Sequence, residues 1–415
     1  MSITETTRSM DGIEIYDPDV YVAGVPHEDF AKLRADAPVS FQPENGIIYG
    51  GLKGPGFWAI TKYDDIVAVS RNPQVFSSWL GGTNVPDQEE MDLEYIRMLV
   101  VNMDPPQHTK FRALVRKGFA PRQVQKMKDG SNGWVTQTLD AAPVNETIDF
   151  VKTVAAEVPL QILAEVMGIP QEDRGKIFDW SNRLIGFDDP EFQTSMEDAR
   201  EAAAEVWFYA NERAEERRGT DATDLISLLV NGTVDGEPMT EMEFDAFFLM
   251  LCVAGNETTR NTLSGGLLAL LEHPDQMARL WNDPSLVDSA VEEMLRWVTP
   301  VMHFRRTTTE DTVIRGTHIP KGDKVVMFYS SGNRDEEHFP DPFKFDIGRT
   351  PNYHLAFGNG EHFCLGAHLA RLELRLTVKQ MVERYSKIEL MGEPRRLRSN
   401  FINGIKELPV KLTPR

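Results

Sequence analysis

The segment that most restricts how this chain can fold is residues 357–366, which read F-G-N-G-E-H-F-C-L-G and hold three glycines and one cysteine. A helical pattern starts at Ala367, directly after the segment. The thiol of Cys364 therefore lies just before a helix N-terminus, where backbone N–H groups and the helix dipole favour an anion. Glycine also lets the backbone approach a flat group closely. The segment predicts either a thiolate beside a planar ligand or an ordinary turn around a buried cysteine.

The chain has only two cysteines, Cys252 and Cys364, so a disulfide framework is excluded and a reducing cytoplasm is the expected compartment. We expect Cys252 to be a packing residue without a ligand role. The net charge of −20 argues against a general affinity for nucleic acids or anionic membranes. The longest apolar run, residues 247–255, is too short to span a bilayer, and the polar N-terminus lacks the apolar core of a secretory signal.

Hydrophobic periodicity predicts a mainly α-helical chain with small β-sheets and without a doubly wound sheet. Helices are predicted over 150–167, 196–218 and 240–272, and Thr240 with Glu243 forms a capping box at the start of the last one. Residues 57–63 alternate like a strand and lead into a short helix. Residues 80–101 are predicted to form a long mobile loop, and residues 312–315 and 324–329 to form a β-hairpin through a turn at 319–322.

Residues 357–366 match F-G-x-G-x-H-x-C-x-G at every fixed position, and in this the chain resembles the cytochrome P450 family. The resemblance implies one catalytic domain over residues 1–415, with a flexible N-terminus at 1–13. It also implies haem b between the long distal helix and the cysteine-ligand loop and helix. Cys364 would be the axial iron ligand and His362 would bind a haem propionate. A thiolate ligand pushes electron density onto iron, which favours cleavage of the O–O bond.

Two charged pairs upstream strengthen the resemblance. Glu293 and Arg296 share a helix face at i, i+3 and resemble the family's E-x-x-R, with Arg349 as the expected third member. This implies a structural role in holding the haem-binding core.

His108 and Arg112 share a helix face at i, i+4 and resemble the family's H-x-x-x-R. The resemblance makes both residues propionate ligands, together with Arg306 in the strand after E-x-x-R. Arg305, the neighbour of Arg306, is the rival assignment. Two propionates carry two negative charges, so several basic donors are a suitable complement.

The sequence A-G-N-E-T at residues 254–258 interrupts an otherwise apolar helix. Gly255 weakens the helix, and Thr258 can bond a backbone carbonyl one turn back. The alternative is an ordinary helix kink in which the threonine hydroxyl is hydrogen-bonded to the backbone. The segment resembles the family's A-G-x-E-T above the distal haem face, which implies that Thr258 hydrogen-bonds the oxygen ligand and Glu257 relays protons from solvent. Productive cleavage of O2 needs two protons, so the chemistry requires a proton path.

The implied activity is a haem-thiolate monooxygenase that uses O2 to hydroxylate an apolar, lipid-like substrate: a terpenoid, a steroid side chain or a fatty or branched alkyl chain. A peroxygenase or isomerase is an alternative, although Glu257 and Thr258 argue against it, and a haem-binding sensor is another. His303 is the only candidate for a charged anchor in the pocket. The remaining predicted pocket residues are apolar and fit core packing equally well: Met98, Val101, Met250, Val253, Ala254, Val301, Met302 and Ile402.

The chain carries no flavin-binding or iron–sulfur motif, so electrons are expected from a separate protein. Residues 107–128 are rich in Lys and Arg and contain no Asp or Glu, which is a local reversal in a chain of net charge −20. The family resemblance implies that an acidic ferredoxin docks here, and a solvated surface is the plain alternative. The basic residues of this stretch are Lys110, Arg112, Arg116, Lys117, Arg122, Lys126 and Lys128.

Overall fold

Helices dominate the structure, a computed structural model in which residues 12–44, 52, 54–116, 118–193 and 195–415 are described. The predicted mainly α class with small sheets is confirmed. Within the described residues the α-helices are α1 Pro18–Tyr21, α2 His27–Asp36, α3 Tyr63–Ser70, α4 Glu90–Ile96, α5 Gln107–Arg116, α6 Pro121–Lys126, α7 Lys128–Ala141, α8 Glu157–Met167, α9 Arg174–Ile185, α10 Met196–Arg217, α11 Leu225–Val230, α12 Glu241–Glu272, α13 Pro274–Asn282, α14 Val287–Val298, α15 Tyr329–Gly332 and α16 Ala367–Arg384. Helical turns of other types cover Val100–Asn102, Val151–Ala155, Gln171–Asp173, Pro284–Leu286 and Gly360–His362.

The strands form one mixed sheet and several small ones. They are β1 Val39–Gln42, β2 Phe57–Ile60, β3 Phe76–Ser77, β4 Thr147–Asp149, β5 Thr233–Val234, β6 Glu237–Pro238, β7 His303–Thr308, β8 Thr312–Ile314, β9 Thr317–Ile319, β10 Lys324–Phe328, β11 Tyr385–Leu390, β12 Arg395–Arg396, β13 Ile405–Glu407 and β14 Pro409–Pro414. The largest sheet has the order β1-β2-β10-β7-β3, with β2 and β10 parallel and the other neighbours antiparallel. A three-stranded sheet has the order β11-β14-β4.

The long helix α12 organises the fold. It begins at the predicted capping box, in which the Thr240 side chain accepts from the Glu243 amide and the Glu243 carboxylate accepts from the Thr240 amide. Most of its 32 residues are buried, because α8, α9, α10, α14 and α16 all pack against it. The main hydrophobic core therefore surrounds α12, and smaller clusters lie on the large sheet. None of the described helices combines the length and apolarity needed to cross a bilayer.

Two local predictions are wrong. Strand β8 pairs with β9, whereas β10 pairs with β7 and β2, so residues 312–315 and 324–329 do not form a hairpin with each other. The reason is a two-residue turn at Arg315 and Gly316, both with positive φ, which closes β8 onto β9 at once. Residues 80–101, predicted to be a loop throughout, contain helix α4. The predicted flexible segment 1–13 lies outside the described residues except for Gly12 and Ile13.

Candidate active site

Cys364 lies three residues before α16, as the glycine-rich segment predicted. Its amide donates to the carbonyl oxygen of Phe357 at 2.8 Å, which closes the loop on itself. Burial raises the pKa of the thiol, while hydrogen bonds from the amides of Gly366 and Ala367 and the charge of Arg112 act to lower it. The backbone thus places hydrogen-bond donors at the sulfur, which suits a thiolate ligand.

Gly360 shows why this loop requires glycine. Its φ is +68°, and a Cβ at this position would collide with the carbonyl oxygen of Ser70 at the end of α3. The loop therefore packs tightly against α3, and this packing fixes the path of the chain into Cys364.

A cluster of basic side chains lies beside the cysteine loop. His108 on α5 and His362 in the loop have ring centroids 4.1 Å apart, and Arg112 donates to the carbonyl oxygen of Phe363. Arg306 on β7 is buried and donates to the carbonyl oxygen of Arg305 at 2.7 Å. The structure therefore brings together His108, Arg112, Arg306 and His362, although they come from three separate segments of the sequence.

Burial and the two arginines depress the pKa of both histidines in this cluster. Burial and the charges of Arg112 and Arg306 lower the pKa of His108 to about 4. Burial and the charges of Arg306, His108 and Arg112 hold the pKa of His362 well below its usual value. Among the described residues no carboxylate forms an ion pair with any of the four. The two arginines of the cluster therefore need anions to balance their charge.

Haem b fits this arrangement. In the described part of the chain no carboxylate pairs with the basic cluster, and Nδ1 of His108 is buried without a hydrogen-bond partner. The two propionates of haem would supply the missing acceptors. Ser78, which no sequence motif singles out, adds a hydroxyl 3.3 Å from Nε2 of His362. The loop glycines allow a flat ring to approach the sulfur. The donor set therefore matches the group that the Cys364 motif implies.

The two candidate propionate arginines occupy different environments. Arg305 forms an ion pair with Asp87 at 2.8 Å and donates to the carbonyl oxygen of Val85 at 3.1 Å. Arg306, on the opposite face of β7, has no ion-pair partner among the described residues, and its charge acts on both His108 and His362. The geometry favours Arg306 over Arg305.

Glu293, Arg296 and Arg349 meet as one buried group. Arg296 binds Glu293 through two nitrogens, at 2.7 and 2.8 Å, and Nε of Arg349 lies 3.2 Å from the same carboxylate. Arg296 also donates to the carbonyl oxygens of Asn333 and Pro342, so it ties α14 to the chain that precedes the cysteine loop. This arrangement agrees with the predicted grouping.

The A-G-N-E-T segment lies within α12 and remains helical. Oγ1 of Thr258 donates to the carbonyl oxygen of Ala254 at 3.1 Å, which is the bond one turn back that the sequence predicted. Ala254 is exposed and Thr258 is half-buried, whereas most of α12 is buried. This stretch therefore presents an open, partly polar face on an apolar helix.

Glu257 points away from solvent. It is 1% exposed, Arg260 forms an ion pair with its Oε1, and Nδ2 of Asn261 donates to its Oε2 at 3.2 Å. Arg260 also donates to Oδ1 of Asn182 on α9 at 3.0 Å. Arg260 was not predicted from the sequence, although a buried acid needs a cation and an arginine at i+3 is well placed to supply it.

The predicted pocket residues differ in exposure. Val301 pairs with Ile402 in an antiparallel bridge, and the amide of Met302 donates to the carbonyl oxygen of Phe401 at 2.9 Å. Met98, Val101, Met250, Val253 and Val301 are half-buried, Ala254 is exposed, and Met302 and Ile402 are buried. That these residues line one cavity stays a prediction.

His303 is not a charged anchor. The residue is buried, and this burial lowers the pKa of its ring to about 4 despite a hydrogen bond with Asn400. The ring is therefore neutral near pH 7, and it packs against the aromatic rings of Phe328 and Phe401.

Cys252 is a core residue, as expected. It is fully buried on α12, its sulfur lies 4.0 Å from that of Met167, and burial raises the pKa of its thiol. The thiol is therefore a packing group in an apolar environment.

The basic stretch 107–128 covers α5, α6 and the start of α7. Arg116, Arg122, Lys126 and Lys128 are exposed, while Lys117 lies outside the described residues. Lys110 forms an ion pair with Asp235 at 2.5 Å. Arg112 is half-buried against the cysteine loop, so the basic surface adjoins the segment that carries Cys364.

Comparisons with known proteins agree with this geometry. Residues 144–412 match the family model for cytochrome P450. The chain is 42% identical over 404 residues to a steroid C26-monooxygenase of Rhodococcus jostii, and the aligned region covers 96% of this chain and 84% of that protein. It is 43% identical over 387 residues to a methyl-branched lipid omega-hydroxylase of Mycobacterium tuberculosis, covering 92% of this chain and 90% of that protein. A Mycobacterium marinum cytochrome P450 in complex with pseudoionone has a TM-score of 0.89 and 38% identity, with 98% and 100% of the two chains covered.

Proposed function

This chain belongs to the cytochrome P450 family and is a haem b monooxygenase, and we propose that it hydroxylates the terminal methyl group of a branched, lipid-like chain. The observation that carries the haem assignment is the Cys364 loop beside a basic cluster that has no carboxylate partner among the described residues. The relatives named above act on a steroid at C26 and on a methyl-branched lipid at its omega end. Both positions are ends of alkyl chains. The predicted pocket residues are apolar and His303 is neutral, which suits such a substrate.

We assign roles to the residues of the site on this basis. Cys364 would bind the haem iron through its thiolate, and His108, Arg112, Arg306 and His362 would hold the propionates. Thiolate-ligated haem supplies O2 activation and the insertion of one oxygen atom into a C–H bond. The second oxygen atom leaves as water, and the reaction consumes two electrons and two protons. Thr258 and Glu257 move those protons within the protein.

Terminal hydroxylation is tested with phytanic acid, cholesterol and pseudoionone as probes. We expect phytanic acid and cholesterol to shift the haem to high spin. Products with the new hydroxyl on a chain-end methyl group should exceed products hydroxylated within the chain by about tenfold, because a bound geometry selects the carbon that reacts. Mass spectrometry of the products measures the ratio. Hydroxylation spread along the chain, or no spectral shift with any probe, would contradict the proposed substrate class.

A separate redox partner supplies the electrons, and we propose a small acidic ferredoxin that docks on the basic surface of α5, α6 and the start of α7. The proposal is supported by the exposed Arg116, Arg122, Lys126 and Lys128 close to the cysteine loop. The same charge pattern and the free thiols fit an enzyme of the cytoplasm, which stays a prediction.

Docking of this kind is sensitive to salt. We expect the second-order rate constant for reduction by a [2Fe–2S] ferredoxin to fall about tenfold as ionic strength rises from about 0.01 to about 0.5 M, because salt screens the attraction between surfaces. Lys126→Glu should lower the rate at low salt, and Lys387→Glu, an exposed lysine on β11, is the matched control. A rate that does not change with salt counts against the proposed surface.

A further inference from the structure

We propose that Arg260 is a positioning residue for proton delivery, which holds the carboxylate of Glu257 and links it to helix α9. The inference rests on the proposed function, because it takes Glu257 as the proton relay. Both oxygens of Glu257 are engaged, Oε1 by Arg260 and Oε2 by Asn261, and the side chain is almost fully buried. The orientation of the relay is therefore set by its partners and not by solvent.

Arg260 is the cation that makes this buried carboxylate possible. In the part of the chain that the structure describes, no other basic side chain forms an ion pair with Glu257. An unpaired carboxylate in an apolar helix core would take up a proton or turn outward. A glutamate that must receive and release protons needs a fixed position, and the ion pair with Arg260 supplies it.

The same guanidinium also contacts α9. Its Nη1 donates to Oδ1 of Asn182 at 3.0 Å, and its central carbon lies 5.3 Å from the ring centroid of Phe178. Both partners are on one face of α9, four residues apart. The position of Glu257 on α12 is thereby coupled to that of α9.

Phe178 connects this group to the surface. Its side chain lines a cavity of about 360 Å³ whose other walls include Lys152, Glu157, Glu172 and Arg174. Arg260 contacts both Phe178 and Glu257, so two successive contacts join the cavity wall to the carboxylate. An arginine keeps its proton at ordinary pH and is no relay itself. Arg260 therefore acts on proton delivery through the position that it gives to Glu257.

The experiment is a double-mutant cycle on the haem-loaded enzyme with ferredoxin, its NADPH-dependent reductase and phytanic acid. The readouts are coupling, meaning product formed per NADPH consumed, and the solvent deuterium isotope effect on product formation. We expect Arg260→Gln to lower coupling about tenfold and to raise the isotope effect, because a misplaced relay slows proton transfer. Adding Arg260→Gln to Glu257→Gln should change coupling less than about twofold, since Arg260 acts through Glu257.

Further variants separate positioning from folding. Arg260→Lys keeps the charge and should restore part of the coupling, and Asn182→Ala, which removes only the hydrogen bond between Arg260 and α9, should lower it by a smaller factor. These two variants carry the test if Arg260→Gln does not fold. Arg218→Gln is the matched control, because Arg218 forms the same i, i+3 pair with Glu215 in an exposed position.

Two results would overturn the inference alone: coupling within about twofold of the parent in Arg260→Gln, or losses that multiply in the double variant, as expected for two independent defects. A parent enzyme that binds haem but forms no product with any probe would instead contradict the proposed function, and this inference with it.

Discussion

Replacing Glu293 with glutamine will lower the free energy of unfolding by about 3–5 kcal/mol, because the change leaves buried positive charge without its partner. Glu293 and Arg296 are both fully buried, and Arg349 binds the same carboxylate. The carboxylate also accepts from the amide of Asp346 at 3.0 Å and from Nδ2 of Asn352 at 3.1 Å. One side chain thus satisfies donors from α14 and from the chain before the cysteine loop, and a neutral amide cannot replace it.

The loss is measured by urea unfolding of the haem-loaded proteins, with haem content determined in parallel. Glu215→Gln is the control, since among the described residues Glu215 forms an ion pair only with Arg218, at the surface, and surface pairs contribute about 1 kcal/mol or less. If Glu293→Gln yields no folded protein, Glu293→Asp keeps the charge and should give an intermediate loss. Stability of Glu293→Gln within about 1 kcal/mol of the parent would show that the buried group is not needed to hold the core.

Replacing Cys364 with alanine will abolish substrate oxidation while haem remains bound. The propionate donors His108, Arg112, Arg306 and His362 do not depend on the thiol, so they should still retain the cofactor. Without the thiolate, the electron density that promotes O–O cleavage is lost. The expected result is haem-loaded protein that yields no hydroxylated product from phytanic acid.

Cys252→Ala is the matched control for this variant. Cys252 lies in the core beside Met167, and its removal should leave product formation near that of the parent. Retained hydroxylation in Cys364→Ala, or equal losses in both variants, would contradict the assignment of Cys364 as the ligand.

Local chemistry explains what the sequence could predict. The glycine pattern before Cys364 and the capping box at Thr240 act over a few residues, so both were readable from the chain alone. The grouping of His108, Arg306 and His362 spans about two hundred and fifty residues of sequence, and it could be predicted only from the family resemblance. The structure then favoured Arg306 over Arg305 by giving Arg305 an ion pair with Asp87.

The failures also have physical causes. The turn at Arg315 and Gly316 is as good a hairpin signal as the one at residues 319–322, and periodicity cannot choose between them. Helix α4 is short, acidic and without buried residues, so it lacks an apolar stripe. A role for Arg260 was not predictable, because an Arg at i+3 from Glu usually marks a solvated surface. Packing against α9 buries this pair.

The absorption spectrum of the reduced, CO-treated protein shows whether Cys364 binds the haem iron, because the position of its main band depends on the axial ligand of the haem. We expect a band at the position typical of thiolate-ligated haem, present in the parent and in Cys252→Ala and absent in Cys364→Ala. A parent spectrum typical of imidazole ligation would contradict the assignment of Cys364 and the mechanism built on it.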